Sequence, residues 1–395
     1  MSTTMTDIIN EGEKYLLHTY NRFPVVFEKG EGVYLYDTDG NKYLDFFAGI
    51  AVSGLGYGNE TYTSALHEQI DKLAHISNLF YTKPLVQAAK NLCEMTHLDR
   101  VFFTNSGAEA NEGAIKMARK YHYAKGNTER TEIISINHSF HGRTMGAVAV
   151  TGKEAYRAPF GPLIGEVHFA EYNDIDSIKK YVNDKTCAII FETLQGEGGI
   201  YTVDEAFIKD VRKLCDEKDI VMILDEVQCG FGRTGKMLAY EHYDVLPDIV
   251  TMAKGIGNGV PVGAFACREK VAALVPGDHG TTYGGNPFVT AAINATIKVF
   301  KEENILQNVC EVGQYMFEKL EELKEKHPCI VAHRGMGLMQ GIELDEAPGE
   351  VINKAREKGL IIISAAGNVI RLLPPLVIKN EHVDAMISIL DEVLK

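Results

Sequence analysis

Ile220-Val-Met-Ile-Leu-Asp225-Glu226-Val227-Gln228 is followed, after a polar interval, by Pro247-Asp-Ile-Val-Thr-Met-Ala-Lys254-Gly255. Each stretch is a short apolar run ended by one charged side chain. Such runs predict parallel strands, buried on both faces, that deliver the charge at their carboxyl ends. Open α/β sheets bind ligands at those ends. Taken singly, a lysine after a strand is usually solvated, and an Asp closing an apolar strand more often caps a helix or binds a metal. The pair gains meaning from what lies upstream.

From Arg100 the chain repeats strand, turn, helix. Val101-Phe-Phe-Thr104 runs into Asn105-Ser106-Gly107-Ala108-Glu109-Ala110-Asn111 and a helix predicted to reach about Tyr121. Small residues at that helix start leave backbone N–H groups open to an anion. An N-cap with small packing residues explains the same letters. Glu132-Ile-Ile-Ser-Ile136 leads to Phe140-His-Gly-Arg143. There the aromatic can lie on a planar ring and the arginine can grip a carboxylate bidentately. Equally, Phe140 can be core and Arg143 a surface ion pair. Cys187-Ala-Ile-Ile-Phe191 delivers Glu192, and Gln195-Gly-Glu197-Gly-Gly199 follows. A glutamate among glycines is either solvated or a gate whose backbone can move.

A strand-end carboxylate, a strand-end lysine and an anion cradle together suit pyridoxal phosphate. Its aldehyde condenses with a lysine amine, and its ring nitrogen stays protonated beside a buried Asp, which makes the ring an electron sink.

The flanks differ from this core. Residues 6–18 predict a short amphipathic helix with Ile8, Ile9, Leu16 and Leu17 as its apolar positions, before the irregular Thr19-Tyr20-Asn21-Arg22-Phe23-Pro24. Two strands, 33–37 and 42–46, flank Thr38-Asp39-Gly40-Asn41, a tight hairpin signal. Asn59 is a candidate helix cap and Pro84 a helix start. Residues 255–261 and 280–287 read as loops. Helices are predicted over 288–303 and 305–327. The tail then reads strand 337–344, helix 350–358, strands 361–364 and 369–373, and a last helix capped by Asn380. An α/β core at about 60–300 is thus bracketed by antiparallel-rich ends, 1–59 and 301–395, which are expected to join as one smaller α+β domain.

Composition bounds the partners. The 395 residues are 45% hydrophobic and 24% charged, with 40 basic against 54 acidic side chains and a formal charge of −14. That balance argues against non-specific nucleic-acid or anionic-lipid binding. Seven scattered cysteines, none spaced as CxxC, suggest reduced core residues and no metal site. No leader or membrane-length apolar run is seen, so a cytoplasmic protein is expected. GxxxxGK[ST], GxSxG and HExxH are all absent, which removes the nucleotide-hydrolysis, serine-hydrolase and zinc-protease readings, and the Gly-rich runs at Gly255 and Gly335 lack the GxGxxG spacing.

Ser106-Gly-Ala-Glu-Ala-Asn111, Phe140-His-Gly-Arg143, Asp225-Glu-Val-Gln228, Lys254, Thr281-Thr282-Tyr-Gly-Gly-Asn-Pro287 and Arg371-Leu-Leu-Pro-Pro-Leu376 together resemble the class III, fold type I pyridoxal-phosphate aminotransferases. The resemblance covers nearly the whole chain. It implies a mainly parallel central sheet flanked by helices and a homodimer with shared active sites. Lys254 would join the cofactor covalently and shuttle the proton, Asp225 would pair with the pyridinium, and Gln228 would approach the ring hydroxyl. Phe140 and Val227 would cover the ring faces. Ser106, Gly107 and Ala108 would meet the phosphate, with Thr282 donated by the partner subunit.

For substrates, the resemblance assigns the α-carboxylate of glutamate or 2-oxoglutarate to Arg371, masked in the other half-reaction by Glu197. It assigns the distal carboxylate to Arg143, with Glu192, Tyr20, Asn21 and Arg22 as further substrate contacts. Thr19-Tyr-Asn-Arg-Phe-Pro24 and His75-Ile-Ser-Asn-Leu-Phe-Tyr81 are most similar to class members acting on N2-acetylornithine. Gly56-Tyr57-Gly58-Asn59-Glu60 departs from the Gly-His-x-His-Pro usual in the family and is expected to affect packing more than chemistry. Siblings acting on ornithine, succinylornithine or 4-aminobutyrate share this machinery. A pyridoxal-phosphate-binding protein without catalysis is the rival from another class, and a racemase or decarboxylase would have less need of Glu197 and Arg371.

Overall fold

The structure is a computed structural model and describes residues 4–394. At its centre lies a seven-stranded sheet in the order Arg100–Thr104, Gly263–Cys267, Ile249–Met252, Val221–Asp225, Thr186–Glu192, Glu132–Ile136, Val167–Ala170. The pairings on both sides of Val221–Asp225 are parallel, and Asp225 stands level with Glu192 on one side and Thr251 on the other. Both expected strands therefore form next to each other, and every residue of each is buried. Their continuous apolar runs follow from burial on two faces.

Gly263–Cys267 is the one antiparallel member, paired with Ile249–Met252 and Arg100–Thr104. Its Gly-Ala-Phe-Ala-Cys carries no strand signal, being poor in β-branched residues. Burial in the middle of the sheet overrides that weak propensity. Val167–Ala170 and Ile330–Met336 are further strands beyond the expected ones; the latter mixes polar and apolar residues and pairs with Met339–Leu344.

The two ends of the chain meet. Leu360–Ile361 adds in parallel to Lys42–Asp45, completing a four-stranded sheet with Phe27–Glu31 and Tyr34–Asp37. Gly40 turns the hairpin at φ 83°, which a side chain would resist, while Asp37 Oδ1 accepts from the Asp39 and Asn41 N–H groups. Asn59 caps the helix Glu60–Lys72 as expected, its side chain accepting from Tyr62 N. Tyr57, at the family departure, packs over Gly30 and donates to Asp45 Oδ2 at 2.7 Å.

Two helix ends differ from expectation. Asn380 is the first helical residue of Asn380–Val393 and not its cap. The first helix is Met5–Tyr15, it buries none of its residues, and Leu16 and Leu17 lie beyond it, exposed. Among the described residues its apolar face is not buried, so the pattern alone could not extend it. Among the described residues no helix is long and apolar enough to cross a membrane.

Candidate active site

A cavity of about 440 Å³ opens at the carboxyl ends of the strands and is lined, among others, by Ser106, Gly107, Ala108, Phe140, Arg143, Glu192, Asp225, Val227, Gln228 and Lys254. Asp225 is buried, and both its oxygens accept hydrogen bonds from this chain. Oδ2 accepts from Asn111 Nδ2 at 2.8 Å and from His141 Nδ1 at 2.7 Å, and Oδ1 accepts from Val227 N at 3.0 Å. Asn111 also donates to His141 O at 2.7 Å and accepts from Thr251 Oγ1 at 2.8 Å. Three donors hold the carboxylate at a fixed place. Asn111 and His141 lay inside the quoted motifs without a role. The signal was available: Asn111 is four residues past Gly107, hence on the same helix face.

Lys254 sits just past Ile249–Met252, with φ 48°. That left-handed conformation costs about 1–2 kcal/mol in an L-residue, and such strain persists where the surroundings over-determine it. Its Nζ makes no hydrogen bond or ion pair among the described residues. Burial pulls the amine down to about 8, Arg371 acts in the same direction, and Glu197, Asp225 and Glu192 oppose it. Val52, another wall residue, follows four consecutive left-handed residues, Ala48 to Ala51. Nothing in the sequence pattern signalled that turn.

The helix Gly107–Ala124 points its N-terminus into the cavity. Ser106 Oγ is used as its cap, accepting from Glu109 N at 3.2 Å, which leaves the first-turn N–H groups of Gly107 and Ala108 for an anion. Gly107 has to be glycine: a Cβ there would stand 2.8 Å from Val227 Cγ1. Helix start and ring-face residue are thus in contact.

Glu197 and Arg371 form an ion pair. Arg371 Nη1 also donates to Gln228 Oε1 at 2.9 Å, and Gln228 Nε2 reaches Glu197 at 3.5 Å. Neither Glu197 nor Arg371 lines the cavity; both stand behind Gln228, and Arg371 Nε is buried without a hydrogen bond. Burial raises the Glu197 carboxyl, but Arg371 and then Lys254 outweigh it and hold it below the usual range. The backbone here is tied at both sides, Gly196 N donating to Glu192 Oε2 at 3.1 Å and Ala366 N to Glu197 O at 3.0 Å. The loop backbone is thus hydrogen-bonded on both sides of Glu197, while the Glu197 side chain is 31% exposed. Glu192 itself accepts from Phe140 N at 3.0 Å through its other oxygen, so it fixes the two loops on either side of the cavity. Burial raises it to about 7.

Arg143 is exposed at the rim with no carboxylate paired to it among the described residues, its guanidinium 3.8 Å over the Tyr156 ring and 5.3 Å from Phe140. Tyr20, Asn21 and Arg22 are exposed and outside the lining, as is Thr282. Thr281, its neighbour, accepts from Asn105 Nδ2 at 3.3 Å, which puts the segment at the edge of the site. Among the described residues no group of His, Cys, Asp and Glu is placed to hold a metal.

A strand-end lysine with a lowered proton affinity, an anchored carboxylate, a helix-start cradle and two apolar faces in one cavity fit pyridoxal phosphate. The chain belongs to the aminotransferase class-III family, whose pattern its residues 15–394 match. Enzymes of this family are pyridoxal-phosphate-dependent aminotransferases. Acetylornithine aminotransferase of Caldanaerobacter subterraneus subsp. tengcongensis is 47% identical over 388 residues, covering 98% of this chain and 99% of its own. That of Methanocaldococcus jannaschii is 49% identical over 382 residues, 96% of each chain. Among solved structures, an ornithine aminotransferase from Toxoplasma gondii with pyridoxal phosphate at partial occupancy superimposes with a TM-score of 0.96 at 31% identity, covering 99% of this chain and 94% of its own. Acetylornithine aminotransferase from Elizabethkingia anophelis gives 0.89 at 31% identity, covering 100% and 99%.

Proposed function

We propose that this chain moves the δ-amino group of N2-acetylornithine to 2-oxoglutarate, giving N-acetylglutamate 5-semialdehyde and glutamate in arginine biosynthesis. The observation that carries it is the Glu197–Arg371 pair acting on Lys254. Glutamate carries its reacting amine and a carboxylate on one carbon, so it needs a cation beside the reaction centre. An ω-amino donor has its carboxylate far away and needs that cation masked. Full-length likeness to acetylornithine aminotransferases, at 44% to 49% identity, points to the donor.

Lys254 would hold the cofactor covalently, Asp225 would face the pyridinium, and Gly107 and Ala108 N–H groups would meet the phosphate. Phe140 and Val227 would cover the ring, with Gln228 near its hydroxyl. Bound there, pyridoxal phosphate supplies an aldehyde carbon for the amine and a protonated ring that withdraws electrons. Lys254 Nζ would take the proton from the carbon bearing the reacting amine and deliver it to the carbon that had been the cofactor's aldehyde. An amine titrating near 8 is about one-tenth neutral at pH 7, against well under one in a thousand for an ordinary lysine. Glu192 keeps Phe140 in place, and Arg143 holds the distal carboxylate.

The same reading includes a homodimer in the cytoplasm, where thiols stay reduced, as all seven cysteines here are. Thr282 would serve the partner's phosphate site. In support, Leu79 is 86% and Tyr81 94% exposed near that segment, and the Met5–Tyr15 helix leaves its apolar face open. Tyr20, Asn21 and Arg22 would then reach substrate only in the assembled dimer. Residues 1–59 and 301–395 are taken as one small domain beside 60–300, because Leu360–Ile361 pairs with Lys42–Asp45.

The likeness to ornithine aminotransferase favours free ornithine as the second reading. Mixing the holoenzyme with N2-acetylornithine, ornithine, N2-succinylornithine or 4-aminobutyrate, and following the cofactor's absorbance, separates them. N2-acetylornithine should react fastest, and 2-oxoglutarate should restore the starting spectrum. A tenfold preference for another amine, about 1.4 kcal/mol, leaves the family intact and overturns this substrate.

A further inference from the structure

Tyr156 lies on the short helix Glu154–Arg157, outside every motif that the cofactor chemistry uses. Its ring nevertheless carries the guanidinium of Arg143 at 3.8 Å from its centroid, closer than the 5.3 Å to Phe140. The ring meets Phe140 edge-on at 6.3 Å. Lys153 Nζ is 4.6 Å from the same centroid and donates to the Tyr156 hydroxyl at 3.4 Å. No carboxylate pairs with Arg143 among the described residues. The electron-rich ring face is thus the cation's main partner.

The platform is anchored while the arginine is not. Arg157 Nη1 donates to Thr151 O at 2.6 Å and its guanidinium lies 3.8 Å over Phe169, which fixes the short helix. Thr151 Oγ1 in turn accepts from His141 N at 3.0 Å, tying that helix to the loop that carries Arg143. A long exposed arginine otherwise samples many rotamers and loses entropy on binding. A face contact restrains the guanidinium without using its N–H donors. An ion pair would have occupied the donors that a substrate carboxylate needs.

We infer that Tyr156 is a positioning residue that presents Arg143 to the distal carboxylate and so sets the preference for substrates carrying one. The inference rests on the proposed role of Arg143. Tyr156→Leu should raise KM for N2-acetylornithine about fivefold with kcat changed less than about twofold, and Tyr156→Phe should restore it, because the ring face is what acts. Turnover of N-acetyl-1,4-diaminobutane, the same donor without its carboxylate, should not change. Calorimetric binding of glutarate to the holoenzyme should weaken by a similar factor in Tyr156→Leu. Equal losses with both donors, or a Tyr156→Phe variant as poor as Tyr156→Leu, would overturn the inference. Arg143→Met separates the two claims. If it raises KM and weakens glutarate while Tyr156→Leu does neither, only the positioning role falls; if Arg143→Met changes neither, the reading of Arg143 falls with it.

Discussion

Two arginines stand at or behind this cavity, and their surroundings are opposite. The Arg371 side chain is 1% exposed and paired with Glu197, whose own side chain is 31% exposed; Arg143 is exposed, unpaired and laid on Tyr156. A buried cation left alone is costly, so Arg371 needs an anion at all times. Glu197 supplies one that has somewhere to go, since only it has an open side. Arg143 pays no such penalty and can wait for its anion on an aromatic face. On the proposed function, one arginine would exchange a protein carboxylate for a substrate carboxylate, and the other would only gain one. That asymmetry is what a site needs when two substrates share a distal carboxylate but differ at the reacting carbon.

Lys254→Ala is the hardest blow to this picture, because both arginines are useful only if both half-reactions run through one amine. Turnover should fall by about 10⁴-fold or more with either substrate, and borohydride should no longer fix the cofactor to the protein, read by intact mass. If the N2-acetylornithine half survived while the glutamate half was lost, the two-arginine scheme would be wrong. A second, milder effect concerns protons. Burial pulls Lys254 down to about 8, and on the proposed function its neutral form would be the nucleophile. Capture of pyridoxal phosphate by the apoenzyme should therefore speed up as pH rises, by about tenfold between pH 7 and 9, and level off above. A rate still climbing past pH 10 would mean an ordinary lysine, insulated from burial and from Arg371.

How much of this was legible beforehand depended on whether the residue's role is local. Asp225 and Lys254 announced themselves by ending apolar runs, and the register that sets Asp225 beside Glu192 and Thr251 follows from those runs being neighbouring strands. His141 and Asn111 were visible letters with invisible partners, because their contact with Asp225 spans 84 and 114 residues of chain. Tyr156 gave no signal at all: one tyrosine in a short irregular stretch looks the same whether or not an arginine lies on it. The strand Gly263–Cys267 was hidden for a different reason, since its place in the sheet is set by burial and not by its own residues. Glu197 stood out by its glycines, and the structure holds its backbone at both sides while leaving its side chain partly exposed, which points to side-chain rotation on the proposed function.

That rotation yields the smallest and most discriminating effect. If Glu197 masks Arg371 by side-chain rotation alone, Glu197→Gln should keep the loop in place, because the bonds from Gly196 and Ala366 involve neither carboxylate oxygen of Glu197. Arg371 would lose its counter-charge and keep only the neutral Gln228 contact. Glutamate and 2-oxoglutarate would then no longer compete with a resident anion, and their KM should drop by roughly three- to tenfold, the scale of one partly screened ion pair. The N2-acetylornithine half-reaction should slow by a similar factor, since the unmasked cation now disfavours a donor that brings no carboxylate there. Lys254 supplies an internal check. Glu197 raises its proton affinity and Arg371 lowers it, so removing the carboxylate must move the midpoint of cofactor capture below 8. A variant that weakens both half-reactions equally, with that midpoint unmoved, would show Glu197 to be a structural partner of Arg371 and nothing more.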